Sequence, residues 1–360
     1  MSTEPTELRI GFLPLLDSAV LVAAHEKGFA LAEGLSLRLH RETSWANIRD
    51  RVAVGHFEAA HMLGPMVVAE SIGVGQLNVP LVAPVALGHG GNAITVSLDL
   101  WREMRHEGAQ LGGDPVSQAA ALGRVIRRSE EAGVAPPTFA MVFPYSCHNY
   151  QLRDWLSAGG IDPDVQARLI VLPPPLLVDA LRTGQVDGFC VGEPWNSLAV
   201  EAGLGVIAAL ASEIWPDPPE KVLGMRAEYA RQNPERVAAL VRCVVNASEW
   251  AAQPENREEL AQLLAETRYV GAPVAVLRGA LEGTLRLARG HAHVDRDGFF
   301  RLGANATVAE IAHARRFYEC MRRWRQIPEN GELESRALAS FRPDLRLAAL
   351  AAVMKRGYEA

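Results

Sequence analysis

The first third of the chain alternates between strand-like and helix-like spacing of its apolar residues. Apolar runs at residues 8–13 and 59–63 predict two buried strands, and leucines at 35, 37 and 39 alternate with polar partners as in a further strand. Helical spacing fills residues 17–28, where Asp17 is positioned to cap a helix, and residues 44–55. This alternating order of three strands and two helices predicts a parallel sheet with right-handed crossovers.

The same alternation resumes after residue 80, and it predicts a second α/β unit. Strands are predicted at residues 80–85, 93–97, 139–143, 170–172 and 188–191. Beyond Pro194 the pattern is mainly helical, with helices predicted at residues 234–252, 257–266, 273–280, 309–325 and 335–356.

The chain has 360 residues, which exceeds the length at which a single core stops growing, so two lobes are expected. We predict an α/β fold in which residues 1–95 and 192–360 form lobe I and residues 96–191 form lobe II. No low-complexity linker separates them, so the prediction is a hinged pair of lobes around a ligand cleft. Ligands of such sheets bind at the carboxyl ends of the strands.

Composition and charge exclude several classes of function. Hydrophobic residues make up 49% and charged residues 22%, and the formal net charge is −6, which argues against a nucleic-acid or membrane-surface partner. An arginine-rich stretch at 315–325 has the spacing of one solvated helix face. No apolar run is long enough to span a bilayer and no leader pattern precedes the first strand, so we expect a cytoplasmic protein.

Signatures of catalysis and cofactor binding are missing from the sequence. The segment Gly73–Gly75 lacks the third glycine of a dinucleotide fingerprint, and neither a GxxxxGK[ST] loop nor a GxSxG elbow occurs. Cys147 and His148 are adjacent, which is a poor arrangement for a nucleophile and its base. We therefore predict a protein that is not an enzyme and needs no cofactor.

Two patterns could have indicated metal or disulfide chemistry. His291, His293 and Asp295 form an HxHxD pattern, but glycines bracket it, and we predict a surface loop rather than a metal site. The four cysteines are far apart and form no CxxC pair, which favours buried reduced thiols over a disulfide framework.

Hydrogen-bond donors lie at several predicted strand ends and helix starts. They are Trp45 after the helix cap Ser44, Asn92 after a Gly-Gly pair, His148 before a helix, Gly192 at a strand end, and Lys221. Each also has an ordinary interpretation as a core aromatic, a turn or cap residue, or a surface lysine. Sequence spacing alone does not bring them together.

Seven segments, in order and at comparable spacing between about residues 8 and 328, resemble the nitrate/bicarbonate solute-binding family. They are TSWANIRD from Thr43, AHMLGPM from Ala60, GNAI from Gly91, VFP from Val142 with His148, AGGIDP from Ala158, CVGEPWN from Cys190 and EKVLGMR from Glu220. The resemblance implies a two-lobed type II periplasmic-binding fold that holds a small anion in its cleft. Carried over position by position, the ligand-binding residues are Trp45, Asn92, His148, the Gly192 backbone and Lys221.

The donor set favours nitrate or nitrite. These anions only accept hydrogen bonds, so the pocket should present N–H groups and positive charge without free carboxylates. In the bicarbonate branch the position of Lys221 resembles a glutamate that works with calcium, and a lysine there disfavours a cation. Asn92 replaces the glutamine of the nitrate transporter's binding protein, yet it can still donate from a shorter side chain.

The absence of a leader pattern favours a sensor over a transport protein. The chain is most similar to the NasS-type nitrate/nitrite sensor, and the resemblance implies a partner, an RNA-binding antiterminator regulator of the NasT type, that is released when the anion binds. One alternative is the substrate-binding component of a nitrate or bicarbonate ABC transporter. Another is an enzyme on the same scaffold, like the pyrimidine-synthesising relatives, which need a cysteine-rich segment and a histidine that this chain does not show.

Overall fold

Strands and helices alternate as far as Gly192 much as the apolar pattern predicts, but the strands at Gly205–Leu210 and Lys221–Arg226 were not predicted. The computed structural model describes residues 4–75, 77–216 and 220–358, with side chains described as far as residue 352. The strands are β1 (Thr6–Phe12), β2 (Leu35–Arg41), β3 (Ala59–Leu63), β4 (Leu81–Ala86), β5 (His89–Gly90), β6 (Asn92–Ser97), β7 (Thr138–Met141), β8 (Arg168–Val171), β9 (Gly188–Gly192), β10 (Gly205–Leu210), β11 (Lys221–Arg226), β12 (Thr284–Arg286), β13 (His293–Asp295) and β14 (Phe300–Arg301).

The helices follow the strands in the order of an α/β protein. They are α1 (Ala19–Glu26), α2 (Phe29–Ala32), α3 (Trp45–Ala53), α4 (Gly64–Ser71), α5 (Leu98–His106), α6 (Pro115–Glu131), α7 (Cys147–Ala158), α8 (Leu177–Arg182), α9 (Trp195–Glu201), α10 (Ala211–Ile214), α11 (Ala227–Gln232), α12 (Pro234–Ala252), α13 (Arg257–Ala265), α14 (Val274–Glu282), α15 (Ile311–Arg323), α16 (Gly331–Ala339) and α17 (Pro343–Tyr358). A 3₁₀ turn, Leu16–Ser18, precedes α1.

The chain divides into two units whose boundaries differ from the predicted lobes. Unit 1 contains Met1–His89, Pro219–Gly271 and Arg301–Ala360, and unit 2 contains Gly90–Pro218 and Ala272–Phe300. The predicted boundaries at 95/96 and 191/192 differ because strands β6 and β10 pair with each other in the sheet of unit 2. Most of β6 and all of β10 lie outside residues 96–191. The unit boundaries depend on strand pairing between residues far apart in sequence, and the local pattern of apolar residues carries no information about that pairing.

The sheet of unit 1 has the strand order β2-β1-β3-β11-β4. Strand β1 runs parallel to β2 and β3, and its side chains Leu8, Ile10 and Phe12 are fully buried. Strand β11 is antiparallel to both of its neighbours, so the sheet is mixed rather than parallel throughout. The amino end of β11 therefore lies at the edge where the parallel strands end.

The sheet of unit 2 repeats this arrangement with the order β10-β6-β9-β7-β8. Here β7 is parallel to β8 and β9, and β6 is antiparallel to β9 and β10. Its core packs α5, α6 and α7 against the sheet and includes Trp101, Phe139 and Trp155. As in unit 1, one antiparallel strand brings its amino end to the edge where the parallel strands end.

Two local predictions were wrong. The helix predicted at residues 335–356 is two helices, α16 and α17, because Pro343 starts a new helix and cannot continue the preceding one. The HxHxD segment is not a loop throughout, since His293–Asp295 forms β13 and pairs with β12. Thr284 Oγ1 donates to Asp295 Oδ1 at 2.9 Å in a solvent-exposed hydrogen bond.

The four cysteines are free and buried, as predicted. In the part of the chain that the structure describes, no helix is both long enough and apolar enough to cross a bilayer.

Gly90 needs both the conformational freedom and the small size of glycine. Its φ is +77°, and a Cβ atom would lie 2.2 Å from the carbonyl oxygen of Phe299. Gly28 has nearly the same φ, +75°, but a Cβ atom there would meet nothing within 4 Å. The two positions therefore separate backbone strain from steric clash.

We predict that Gly90→Ala lowers the free energy of unfolding more than Gly28→Ala. The Gly28 change should cost only the strain of a left-handed alanine, about 1–2 kcal/mol. Gly90→Ala must also displace the backbone of Phe299. Thermal unfolding followed by circular dichroism would measure both changes, and equal losses in the two variants would contradict the assigned clash.

Candidate functional site

The antiparallel strand β11 places a lysine at the carboxyl edge of the sheet in unit 1. Lys221 is the first residue of β11 and lies opposite Leu63, the last residue of β3. His61 lies two residues earlier in β3, so its side chain and that of Lys221 lie on the same face of the sheet. Both side chains are fully buried.

A carboxylate bridges these two side chains. Asp17 Oδ2 lies 2.8 Å from Lys221 Nζ, and Asp17 Oδ1 lies 2.8 Å from His61 Nε2. A second carboxylate follows, because Glu220 Oε2 lies 3.7 Å from Lys221 Nζ. Asp17 belongs to the 3₁₀ turn Leu16–Ser18 and makes no cap hydrogen bond to α1, so the predicted capping role for Asp17 was wrong.

The protonation states within this cluster follow from its geometry. The backbone N–H of Leu13 donates to His61 Nδ1 at 3.3 Å, so Nδ1 is the acceptor and Nε2 carries the proton that faces Asp17. Burial lowers the pKa of His61 and outweighs the opposing effect of Asp17, which keeps the imidazole neutral. Burial alone would raise the pKa of Asp17, but Lys221 and His61 together hold it well below its ordinary value.

Trp45 covers this cluster from the start of α3. Ser44 is the N-cap of that helix, where its Oγ accepts from the N–H of Asn47 at 3.2 Å, so the cap predicted from sequence is confirmed. The indole is 5.1 Å from the ring of His61 and 5.9 Å from Lys221 Nζ. Trp45 is only 1% exposed, and within the described residues its Nε1–H donates no hydrogen bond.

The corresponding edge of unit 2 holds Asn92 and Gly192. Asn92 is the first residue of β6 and lies opposite Gly192, the last residue of β9. The N–H of Glu193 donates to Gly91 O at 2.8 Å, so the adjacent Asn92 and Gly192 form a non-hydrogen-bonded pair. The N–H of Gly192 therefore points away from β6, towards the side of the sheet where β7 ends.

His148 lies in the first turn of α7, three residues before Gln151. Gln151 Oε1 accepts from Asn92 Nδ2 at 2.9 Å, which links this helix to β6. Ser146 is the N-cap of α7, and its Oγ accepts from the N–H of Asn149 at 3.1 Å. His148 is fully buried, and Asn92 Oδ1 accepts no hydrogen bond within the described residues.

The structure groups the sequence-predicted residues within each unit. Trp45 and Lys221 lie together in unit 1, and Asn92, His148 and Gly192 lie in unit 2. Two carboxylates, Asp17 and Glu220, lie beside Lys221 in unit 1, and both are within ion-pair distance of its ammonium rather than free.

Sequence reasoning missed Asp17 and His61 as members of the site. A signal for them was present, since Asp17 interrupts the apolar run around Leu15 and Leu16 and His61 lies in a wholly buried strand. A buried charge or imidazole in such surroundings indicates a partner. Within the described residues, no cluster of three or more His, Cys, Asp or Glu side chains could hold a metal ion.

Comparison with known proteins identifies the family. A model of the NMT1-like family matches residues 1–265. The nitrate/nitrite binding protein NrtA of Synechococcus elongatus is 32% identical over 93% of this chain and 75% of its own length. The nitrate import ATP-binding protein NrtC of Synechocystis sp. is 38% identical over 74% of this chain, and proteins named for bicarbonate transport or binding match at 30–36%.

Coverage of these relatives is uneven. The matched part is 38% of the length of NrtC and 62% of the length of the Nostoc NrtA, so the chain spans less than two thirds of the first relatives. The crystal structure of the periplasmic nitrate-binding protein NrtA from Synechocystis superposes with a TM-score of 0.87 at 29% identity, over 97% of this chain and 89% of the other.

These matches confirm the two-lobed periplasmic-binding-protein fold and the prediction that the chain is a solute-binding protein rather than an enzyme. The chain belongs to the NMT1-like family and is a homologue of the nitrate/nitrite- and bicarbonate-binding proteins.

Proposed function

We propose that this protein binds nitrate or nitrite through the residues expected from the sequence. These are Trp45, Asn92, His148, the backbone N–H of Gly192, and Lys221. Each unit carries its donors at the edge where its parallel strands end. Indole, amide, backbone and ammonium N–H groups suit a ligand that only accepts hydrogen bonds.

The indole of Trp45 is the single observation that carries this proposal. Its Nε1–H is buried and donates to no described protein atom, and a buried donor without a partner costs about 1–3 kcal/mol. Lys221 Nζ lies 5.9 Å from the ring of Trp45. An oxyanion beside this ammonium would accept a hydrogen bond from the indole and lie close to a positive charge. A bound oxyanion would therefore supply the hydrogen-bond acceptor that the buried indole lacks.

Bicarbonate is the second candidate because relatives named for bicarbonate match as well. The calcium that works with a glutamate in the bicarbonate branch would here meet the ammonium of Lys221. That ammonium already lies 2.8 Å from Asp17 and 3.7 Å from Glu220, so it occupies the position of a cation between two carboxylates. This arrangement supports a ligand that binds without a metal ion.

The role that we propose for anion binding is sensing. As the resemblance to NasS-type sensors implies, the anion would prefer one conformation of the protein and the NasT-type antiterminator another, so that nitrate shifts the population and releases the partner. The alternative is the substrate-binding component of an ABC transporter for nitrate or bicarbonate. Both roles use the same anion site, and only partner binding distinguishes them.

We predict that Trp45→Phe weakens nitrate binding by roughly 10- to 150-fold, the equivalent of one hydrogen bond to a charged group of about 1.5–3 kcal/mol. The substitution keeps a ring above His61 and removes only the indole donor. Isothermal titration calorimetry would measure the affinity. The thermal stability of the unliganded variant should not suffer from loss of the N–H, because that group bonds to no described atom.

Trp155→Phe is the matched control for this prediction. Trp155 is as deeply buried as Trp45, but its Nε1 donates to Pro115 O at 2.9 Å. Its substitution should therefore lower thermal stability and leave nitrate affinity unchanged. Unaltered nitrate affinity in Trp45→Phe would remove Trp45 from the site.

We predict that nitrate binding is independent of calcium. The ammonium of Lys221 makes any added divalent cation unnecessary and unfavourable in the cluster with Asp17. Titration of nitrate, nitrite and bicarbonate, each with and without calcium, would test this. A requirement for calcium, or tighter binding of bicarbonate than of nitrate, would favour the bicarbonate alternative.

We predict that an RNA-binding regulator of the NasT type forms a complex with the anion-free protein and dissociates from it when nitrate is added. Size-exclusion chromatography of the two purified proteins, with and without nitrate, would show the change. Sulfate at the same ionic strength is the control. The absence of a complex under both conditions would favour the transporter role.

A further inference from the structure

We propose that Asp17 determines the charge class of the ligand, so that the site accepts monovalent oxyanions and rejects divalent ones. The inference rests on the proposed function, because it assumes that Lys221 contacts the anion. Asp17 is not among the expected ligand-binding residues. Its role is to position Lys221 and to set the net charge that the anion meets.

Asp17 is fixed in place by contacts to both of its carboxylate oxygens. Each of its two carboxylate oxygens has a partner at 2.8 Å, one in Lys221 and the other in His61. The backbone N–H of Leu13 in turn holds the imidazole of His61 by a hydrogen bond to Nδ1. The ammonium therefore has a defined location at the start of β11 instead of the several rotamers open to a free lysine side chain.

The cluster around Lys221 carries no excess of positive charge. Asp17 is held in its ionised form by Lys221 and His61, and His61 is neutral because it is buried. Asp17 and Lys221 therefore cancel, and Glu220 adds a further carboxyl group 3.7 Å from the ammonium. The cluster offers directed N–H donors from Lys221 and Trp45 without an excess of positive charge.

A cluster of this charge favours a monovalent anion over a divalent one. Moving an ion out of water costs energy that grows with the square of its charge, so a divalent anion loses about four times as much hydration energy as a monovalent one of the same size. Hydrogen bonds to a few donors can offset the smaller loss. A second negative charge would need an excess positive charge, and in this cluster it would meet the carboxylate of Asp17.

Calorimetric titration of the full chain with nitrate and with sulfate tests this inference. The wild-type protein should bind nitrate and bind sulfate at least about a hundredfold more weakly. Asp17→Asn removes one negative charge and keeps the shape of the side chain. In that variant the affinity for sulfate relative to nitrate should increase by at least about tenfold.

His61→Gln is the matched control. It removes the imidazole that holds Asp17 in place but leaves the negative charge of Asp17 unchanged. Nitrate should bind more weakly to this variant, while the ratio of nitrate to sulfate affinity should stay as in the wild type. If the cluster had only a structural role, both substitutions would have the same effect on the ratio of nitrate to sulfate affinity. An unchanged ratio in a folded Asp17→Asn variant would overturn the inference.

Asp17→Asn leaves the ammonium of Lys221 without its nearest counter-charge, so circular dichroism must first establish that the variant folds. If it does not fold, competition in the wild-type protein decides the question. Sulfate in about hundredfold excess should fail to displace nitrate, and displacement would overturn the inference. A wild-type protein that binds no nitrate or nitrite would instead overturn the proposed function.

Discussion

The ion pair between Lys221 and Asp17 is the interaction on which the buried cluster of unit 1, the proposed anion site, depends. A lysine that is fully buried needs a counter-charge, since breaking a buried pair by removal of one partner costs about 3–5 kcal/mol. The carboxylate that supplies it also orders His61, and through His61 it is connected to the backbone of Leu13. Stability and the proposed anion recognition therefore rest on the same atoms.

The same topological device places functional groups in both units. Each sheet contains one antiparallel strand, and the first residue of that strand, Lys221 in β11 or Asn92 in β6, lies opposite the last residue of a parallel strand. In a parallel sheet only the loops after the strands reach the carboxyl edge. An antiparallel strand adds a residue that the sheet itself holds in place, which gives a rigid position for a ligand-binding side chain.

The carboxylates beside Lys221 alter the physical description of the proposed anion site. A pocket with net positive charge would attract anions of any valence, whereas a neutral pair with directed donors discriminates by hydrogen bonding and by the cost of desolvation. The buried indole N–H of Trp45 has the same character, since it contributes a donor and no charge. Selectivity in such a site depends on geometry more than on attraction at long range.

The sequence by itself determined the α/β class, most of the strand and helix order up to β9, and the cap at Ser44, because hydrophobic periodicity and capping are local properties. It did not predict strands β10 and β11. The family resemblance supplied the candidate donors. The tertiary structure decided that β6 and β11 are antiparallel, that β6 and β10 belong to unit 2, and that Asp17 pairs with Lys221 instead of capping α1. Asp17 and Lys221 are 204 positions apart in sequence (221 − 17), and only sheet pairing brings them within hydrogen-bond distance.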